Sequence, residues 1–222
     1  MNTTIKALVF DVYGTLFDVY SVEAKCDDIF GEKGKEVSIL WRRKQLEYSF
    51  LRQLMGQYQP FKQITEEALI YAVQYYDLEY NDRQIQELME AYTTLKHNPE
   101  VIDVLEKMKD KQLAVFSNGS RDMLEPLIEQ AGLSNYFDAI ISVDDIKQYK
   151  PTPASYTYAL NVLGVEREEV LFMSSNGWDI SGAKNFGFQT AWINRGHTPA
   201  EVLNLAPDRE YDDLRGILEW RE

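Results

Sequence analysis

Short, uninterrupted apolar runs recur along the chain at IKALVF, LAVFS, AIISV, VLFMS and TAWI. Their length suits strands buried on both faces rather than amphipathic ones. After one long gap they alternate with segments of helical length, which is the pattern of a parallel α/β sheet with crossover helices. The helical segments stop in a repeated way. Gly132, Gly164 and Gly187 each follow a helix-like stretch and precede a strand or its lead-in, where a left-handed residue closes a helix most easily. Pro99 and Pro153 mark the opposite ends, each after a polar residue, Asn98 or Thr152, that can cap a helix beginning with proline.

The gap, residues 18–96, is far longer than one crossover helix and holds no strand-like run. It reads as an inserted helical domain. Val37, Trp41, Lys44, Tyr48, Leu51 and Met55 fall close to a 3.6-residue period, with Leu40 and Leu54 beside them, so one long amphipathic helix is predicted. Further helices are predicted over residues 66–76 and 82–95. The expected architecture is therefore an α/β, Rossmann-like core of about five parallel strands, built from residues 1–17 and 97–222. Residues 18–96 form a helical cap on it. A cleft between the two, at the carboxyl ends of the strands, is where open α/β sheets bind ligands.

Composition narrows the function. With 23 basic and 36 acidic side chains the net charge is −13, which opposes binding to nucleic-acid backbones or anionic membrane surfaces. Neither nucleic acid nor membrane is expected as a partner. No apolar run approaches a membrane span, and the N-terminal apolar stretch meets Asp11 too early for a signal peptide. Cys26 is the single cysteine. It excludes an intramolecular disulfide and a cysteine-based metal site, and a reducing, cytoplasmic location is expected.

The candidate chemistry lies where strands end. Asp11 directly follows the first apolar run, Ser117 and Asn118 close the second, Lys150 follows the third, and the segment SSNGWD closes the fourth at Ser174 to Asp179. A lone Asp in such a turn can simply bond backbone N–H groups. Four polar clusters at four matching ends instead describe one site. The two histidines, His97 and His197, stand in expected loops, and the GxSxG, HExxH and GxxxxGK patterns are absent, which disfavours serine-hydrolase, zinc and P-loop chemistry.

With Asp11 in DVYGTL, Ser117, Lys150 and Asp179, the chain resembles the haloacid dehalogenase-like superfamily. The segments FDVYGTLFDV, LWRRKQLEYSFLRQLM, SNGS, YKPTPASY and SSNGWDISGA narrow that resemblance to the L-2-haloacid dehalogenases. Two positions bear on the chemistry independently. Phosphatases of the superfamily place a second Asp two residues after the nucleophile to protonate a leaving alkoxide; here Tyr13 stands there, and halide leaves without a proton. Alignment on Asp179 puts neutral Ser175 where those enzymes hold Mg²⁺ with a carboxylate. No cofactor and no metal are therefore expected.

The resemblance implies hydrolysis of (S)-2-haloacids to (R)-2-hydroxyacids, with Asp11 as nucleophile and an aspartyl ester as intermediate. It assigns halide capture to Arg42, helped by Asn118, and an apolar substrate pocket to Tyr13, Leu46, Phe61 and Trp178. Thr15 and Tyr156 match positions that support the nucleophile and the lysine. Charge supplies the other roles. The substrate is an anion approaching an anionic nucleophile, so Lys150 offsets the repulsion and keeps Asp11 ionised, while Ser117 and backbone amides can bind the substrate carboxylate. Asp179 would orient or deprotonate the attacking water, with Ser174 and Asn176 fixing carboxylate and water; Asp179 could alternatively be a helix N-cap. The expected partners are a small 2-haloacid, the halide product and, from the resemblance, a second copy of the chain in a homodimer. The alternatives are a Mg²⁺-dependent phosphatase and a catalytically idle binding module.

Overall fold

Strand β1 (Ala7–Phe10) is buried on every residue, and the rest of the sheet is built outward from it. The computed structural model describes residues 4–221. Besides β1 the strands are β2 (Gln112–Ser117), β3 (Ala139–Ser142), β4 (Val170–Ser174), β5 (Gln189–Ile193) and β6 (Arg209–Tyr211). They form one sheet in the order β3-β2-β1-β4-β5-β6, with every pairing parallel. Leu8 pairs with Leu113 on one side and Leu171 on the other, so the uninterrupted apolar runs lie in the sheet centre. The chain winds from β1 through β2 to β3 and then crosses back to β4. The switch point, and hence the crevice, lies between β1 and β4.

The five expected strands are present, and β6 is a sixth. It is three residues long and mostly exposed, and an edge strand outside the core requires no apolar run. Gly132, Gly164 and Gly187 adopt φ of 71°, 67° and 105°, as their helix-ending positions require. The proline-marked starts differ in detail. Pro153 opens its helix, Pro153–Leu163, but the Thr152 hydroxyl donates to the Tyr149 carbonyl at 2.8 Å instead of capping. The helix after Pro99 begins only at Val101, and Asn98 turns its amide away, donating to the Thr15 carbonyl at 3.0 Å.

The inserted segment forms four α-helices: α1 (Glu23–Phe30), α2 (Gly34–Leu54), α3 (Phe61–Tyr75) and α4 (Asp82–Ala91). Val37, Leu40 and Trp41 of α2 are buried, whereas Leu51, Leu54 and Met55 at its far end are 42%, 84% and 62% exposed, so the apolar stripe outruns the core. Helix α3 starts five residues earlier than predicted, directly after Pro60. Helix α4 stops four residues short of the predicted 95, and an Asn81–Gln84 capping box opens it.

The chain leaves and re-enters the core at one place. Phe17 and His97 form an antiparallel bridge, Asp18 N donates to Lys96 O at 3.0 Å, and Asn98 N donates to Leu16 O at 2.8 Å. A second contact closes over the strand ends. Tyr149 donates its hydroxyl to Gln59 O at 2.7 Å and its backbone N–H to Gln53 at 2.8 Å, and stacks on Tyr58 with ring centroids 4.9 Å apart. The remaining α-helices are α5 (Val101–Lys107), α6 (Arg121–Gln130), α7 (Pro153–Leu163) and α8 (Gly177–Phe186). Among the described residues no helix is long and apolar enough to cross a membrane.

Candidate active site

Asp11 extends the β1–β4 ladder by one step, its N–H donating to Met173 O at 2.9 Å. Its carboxylate therefore projects at the switch point. The turn that follows brings Thr15 back beneath it, and Gly14 makes this possible. That residue sits at φ +92°, and a Cβ there would stand 3.0 Å from the Ser175 hydroxyl, so a side chain would be both strained and crowded.

The two carboxylate oxygens of Asp11 have different surroundings. Oδ2 accepts from the Thr15 hydroxyl at 3.0 Å, the Asn176 amide at 3.0 Å and, more weakly, the Ser174 hydroxyl at 3.4 Å. Among the described residues, Oδ1 accepts from Lys150 Nζ alone, at 3.0 Å. Thr15 is itself fixed by the backbone N–H of Ser175, which donates to its hydroxyl at 2.8 Å. Three donors thus hold one oxygen, and the other keeps lone pairs free for attack.

Lys150 is 1% exposed and lies between two carboxylates. Nζ donates to Asp179 Oδ2 at 2.6 Å, to Asp11 Oδ1, and to Phe116 O at 3.1 Å. Burial pulls its pKa down, but Asp11 and Asp179 outweigh that and hold it above the ordinary lysine value. Asp179 is fully buried. Burial pushes its carboxyl up to about 6 against the pull of Lys150. Its second oxygen accepts from the Tyr156 hydroxyl at 2.8 Å. Asp179 is not the N-cap of α8: Asn176 holds that position and Asp179 lies in the first turn, where a carboxylate also meets the positive end of the helix.

The other expected residues divide into three groups. Ser117 is buried and accepts from Gly119 N at 3.0 Å, so its hydroxyl proton stays available. Asn118 accepts from the Lys150 backbone N–H at 2.8 Å and thereby anchors the main chain that carries the lysine, a use its sequence position did not signal. Arg42, half-buried on α2, lines a cavity of about 390 Å³ shared with Gly14, Ser175, Asn176 and Arg195, and of these Asn176 donates to Asp11. Arg43 is exposed. On the apolar side, the rings of Tyr13 and Phe61 stand 6.0 Å apart and those of Trp178 and Phe50 5.1 Å apart, with Leu46 half-buried on α2. The Tyr13 hydroxyl and Trp178 Nε1 are buried donors with no partner among the described residues. Buried polar groups are ordinarily paired, so both suit a site that takes a polar or anionic ligand.

The site is ill-suited to a divalent cation. An ammonium already bridges the two carboxylates, Ser175 brings no charge, and no group of three or more His, Cys, Asp or Glu side chains comes together among the described residues. Tyr13 is equally poor as a proton donor, because burial raises its pKa far above the ordinary tyrosine value.

Comparison with known proteins places the chain in a family. A family profile described as haloacid dehalogenase-like hydrolase matches residues 5–187. This chain belongs to the haloacid dehalogenase-like hydrolases. The (S)-2-haloacid dehalogenase of Pseudomonas sp. (strain YL) is 44% identical over 220 residues, covering 98% of this chain and 95% of that protein. The crystal structure of the L-2-haloacid dehalogenase RSc1362 superposes with a TM-score of 0.96 at 42% identity, covering 99% of both chains. That of the L-2-haloacid dehalogenase from Xanthobacter autotrophicus with chloropropionic acid covalently bound gives 0.91 at 39% identity, over 97% of this chain and 98% of that one. In this chain Gln45 and Thr65 are neighbours of Arg42 that the sequence motifs did not single out. Gln45 accepts from Arg42 Nη1 at 2.6 Å and donates to the Thr65 hydroxyl at 2.7 Å. The available signal was its place three residues after Arg42 on one helix face.

Proposed function

We propose that this chain hydrolyses (S)-2-haloalkanoates to (R)-2-hydroxyalkanoates and halide through an ester on Asp11. The observation that carries this reading is a nucleophilic carboxylate paired with a buried ammonium, where neither a metal-binding carboxylate nor a leaving-group acid stands beside it. The substrate carboxylate binds at Ser117 and nearby backbone amides. Asp11 Oδ1 attacks C2 from the face opposite the halogen, the carbon–halogen bond breaks, and halide leaves with the bonding pair toward Arg42 and Asn118. The configuration at C2 inverts. The covalent adduct of the Xanthobacter relative supports such an intermediate.

Water then attacks the ester carbon of Asp11, not C2. In the ester the carbonyl oxygen is Oδ2, and as it gains charge the donors from Thr15, Asn176 and Ser174 stabilise it, acting as an oxyanion hole already in place. Asp179 accepts one water proton and passes it to the departing 2-alkoxide, and the second water proton is lost to solvent from the new Asp11 carboxyl group, so that each turnover releases one proton along with the halide. The regenerated Asp11 retains one oxygen from water. Lys150 balances charge in both steps, and Tyr156 holds Asp179. Tyr13, Leu46, Phe61 and Trp178 enclose the substrate's carbon chain, and residues 18–96 act as the cap that carries Arg42 over the core.

A halide-release assay on both enantiomers of 2-chloropropionate, with and without EDTA, tests this. Halide release from the (S) enantiomer alone, unchanged by chelation, is the expected result. Loss of activity in EDTA that Mg²⁺ restores, or Mg²⁺-dependent phosphate release from p-nitrophenyl phosphate, would favour the phosphatase alternative. The chain is further proposed to work in the cytoplasm, where its single, buried cysteine stays reduced, and as a homodimer. The exposed Leu51, Leu54, Met55 and Tyr75 on α2 and α3 offer a face for a second copy, which sedimentation equilibrium would detect.

A further inference from the structure

A guanidinium that is to catch a departing halide must be aimed at it and must stay uncompensated. A carboxylate would aim it but cancel its charge, while solvent would leave it charged but mobile. Among the described residues no carboxylate pairs with Arg42, and its half-buried side chain is not left to solvent alone. Its Nη1 donates to Gln45 Oε1 at 2.6 Å, and Gln45 is fully buried.

The orientation of that amide follows from a chain of protons. The Thr65 hydroxyl has one proton and donates it to Phe61 O at 2.7 Å, within α3. Toward Gln45 it can therefore only accept, and Gln45 Nε2 donates to it at 2.7 Å. The amide must then present its oxygen to Arg42. Thr65 is also fully buried, and its carbonyl accepts from Trp41 Nε1 at 2.7 Å, so the relay is clamped between α2 and α3. A flipped amide would set two donors against Arg42 and a carbonyl against a hydroxyl oxygen whose proton is already committed.

We propose that Gln45, oriented by Thr65, is the positioning residue of the halide acceptor: a neutral, fixed amide oxygen that aims Arg42 without neutralising it. This rests on the halide role of Arg42 proposed above. It implies that charge at position 45, and not only packing, sets the rate of carbon–halogen cleavage.

Single-turnover kinetics separate this from a packing role, with halide release and ester loss from Asp11 followed independently and chloride inhibition measured alongside. Gln45→Glu retains shape and places a carboxylate on the guanidinium. It should slow halide release and weaken chloride inhibition on the order of tenfold to hundredfold, with ester hydrolysis within about twofold of the parent. Gln45→Met, which keeps volume and removes the acceptor, should shift the same step in the same direction, as should Thr65→Val. Thr65→Ser keeps the hydroxyl and should restore parental behaviour. Equal losses in both steps, or unchanged halide release and chloride inhibition, would overturn the proposal. Arg42→Ala in the same assay tells the two failures apart. If it too leaves halide release untouched, the assignment of Arg42 is wrong. If it cripples that step while Gln45→Met does not, only the role of Gln45 falls.

Discussion

Asp11→Asn should abolish halide release, lowering the single-turnover rate by at least about 10⁴-fold. The amide retains an oxygen that can accept from Thr15 and Asn176, so the turn around Gly14 persists, but it has lost the anionic lone pairs that attack C2. Substrate binding should survive, because Ser117, Lys150 and Arg42 are untouched and one negative charge has left the site. Rapid-quench halide measurement reads the first effect, and equilibrium binding of a non-halogenated 2-alkanoate reads the second. A variant that bound normally and still released halide within tenfold of the parent would exclude Asp11 as nucleophile. Loss of both would leave only a folding defect, which a thermal melt of the variant identifies.

Asp179→Asn should divide the reaction in two. In the proposed mechanism displacement at C2 uses Asp11 and Lys150, whereas ester hydrolysis needs a base for water, a role general bases fill to the extent of about 10²–10⁴-fold. The variant should therefore release up to about one halide per site in a burst and then stall, with the esterified Asp11 peptide detectable by mass spectrometry. The pH dependence carries the matching sign. Burial pushes Asp179 up to about 6, and only its ionised form accepts a proton. Ester hydrolysis in the parent should thus be level above that pH and decline as pH falls through about 6. In Asp179→Asn that limb should disappear along with most of the rate. Steady turnover with no burst would mean that Asp179 serves instead to hold Lys150, to which it is bonded at 2.6 Å.

The central sheet was legible because a strand with neighbours on both sides and helices on both faces must be apolar along its buried length, as Ala7–Phe10 is and as Val170–Ser174 is up to its closing serine. Arg209–Tyr211 was not, since its edge position places no such demand on REY. The start of α3 was hidden because FKQI carries little pattern of its own, and what fixes it is Pro60 and the packing of Phe61 against Tyr13. The site was legible in its members, because parallel strands bring their carboxyl ends to one edge and polar residues there stand out against apolar runs. Its internal wiring was not. Nothing in SNG says that Asn118 will hold the backbone of Lys150, a contact spanning 32 residues. The unequal treatment of the two Asp11 oxygens likewise arises only when Thr15, Ser174 and Asn176 converge in space. Gln45 lay between these cases: its spacing from Arg42 was visible, but the hydroxyl that orients it comes from another helix.

The covalent step is tested most directly by the fate of oxygen in one turnover, with enzyme in excess over (S)-2-chloropropionate in ¹⁸O-water. If Asp11 attacks C2 and water attacks the ester, the product hydroxyl takes its oxygen from the carboxylate and stays unlabelled, while the peptide containing Asp11 gains one ¹⁸O. Direct attack of water on C2 also inverts that carbon, so stereochemistry cannot separate the two routes. It would, however, place the label in the product on the first turnover and leave Asp11 unlabelled, and that result would contradict the ester mechanism.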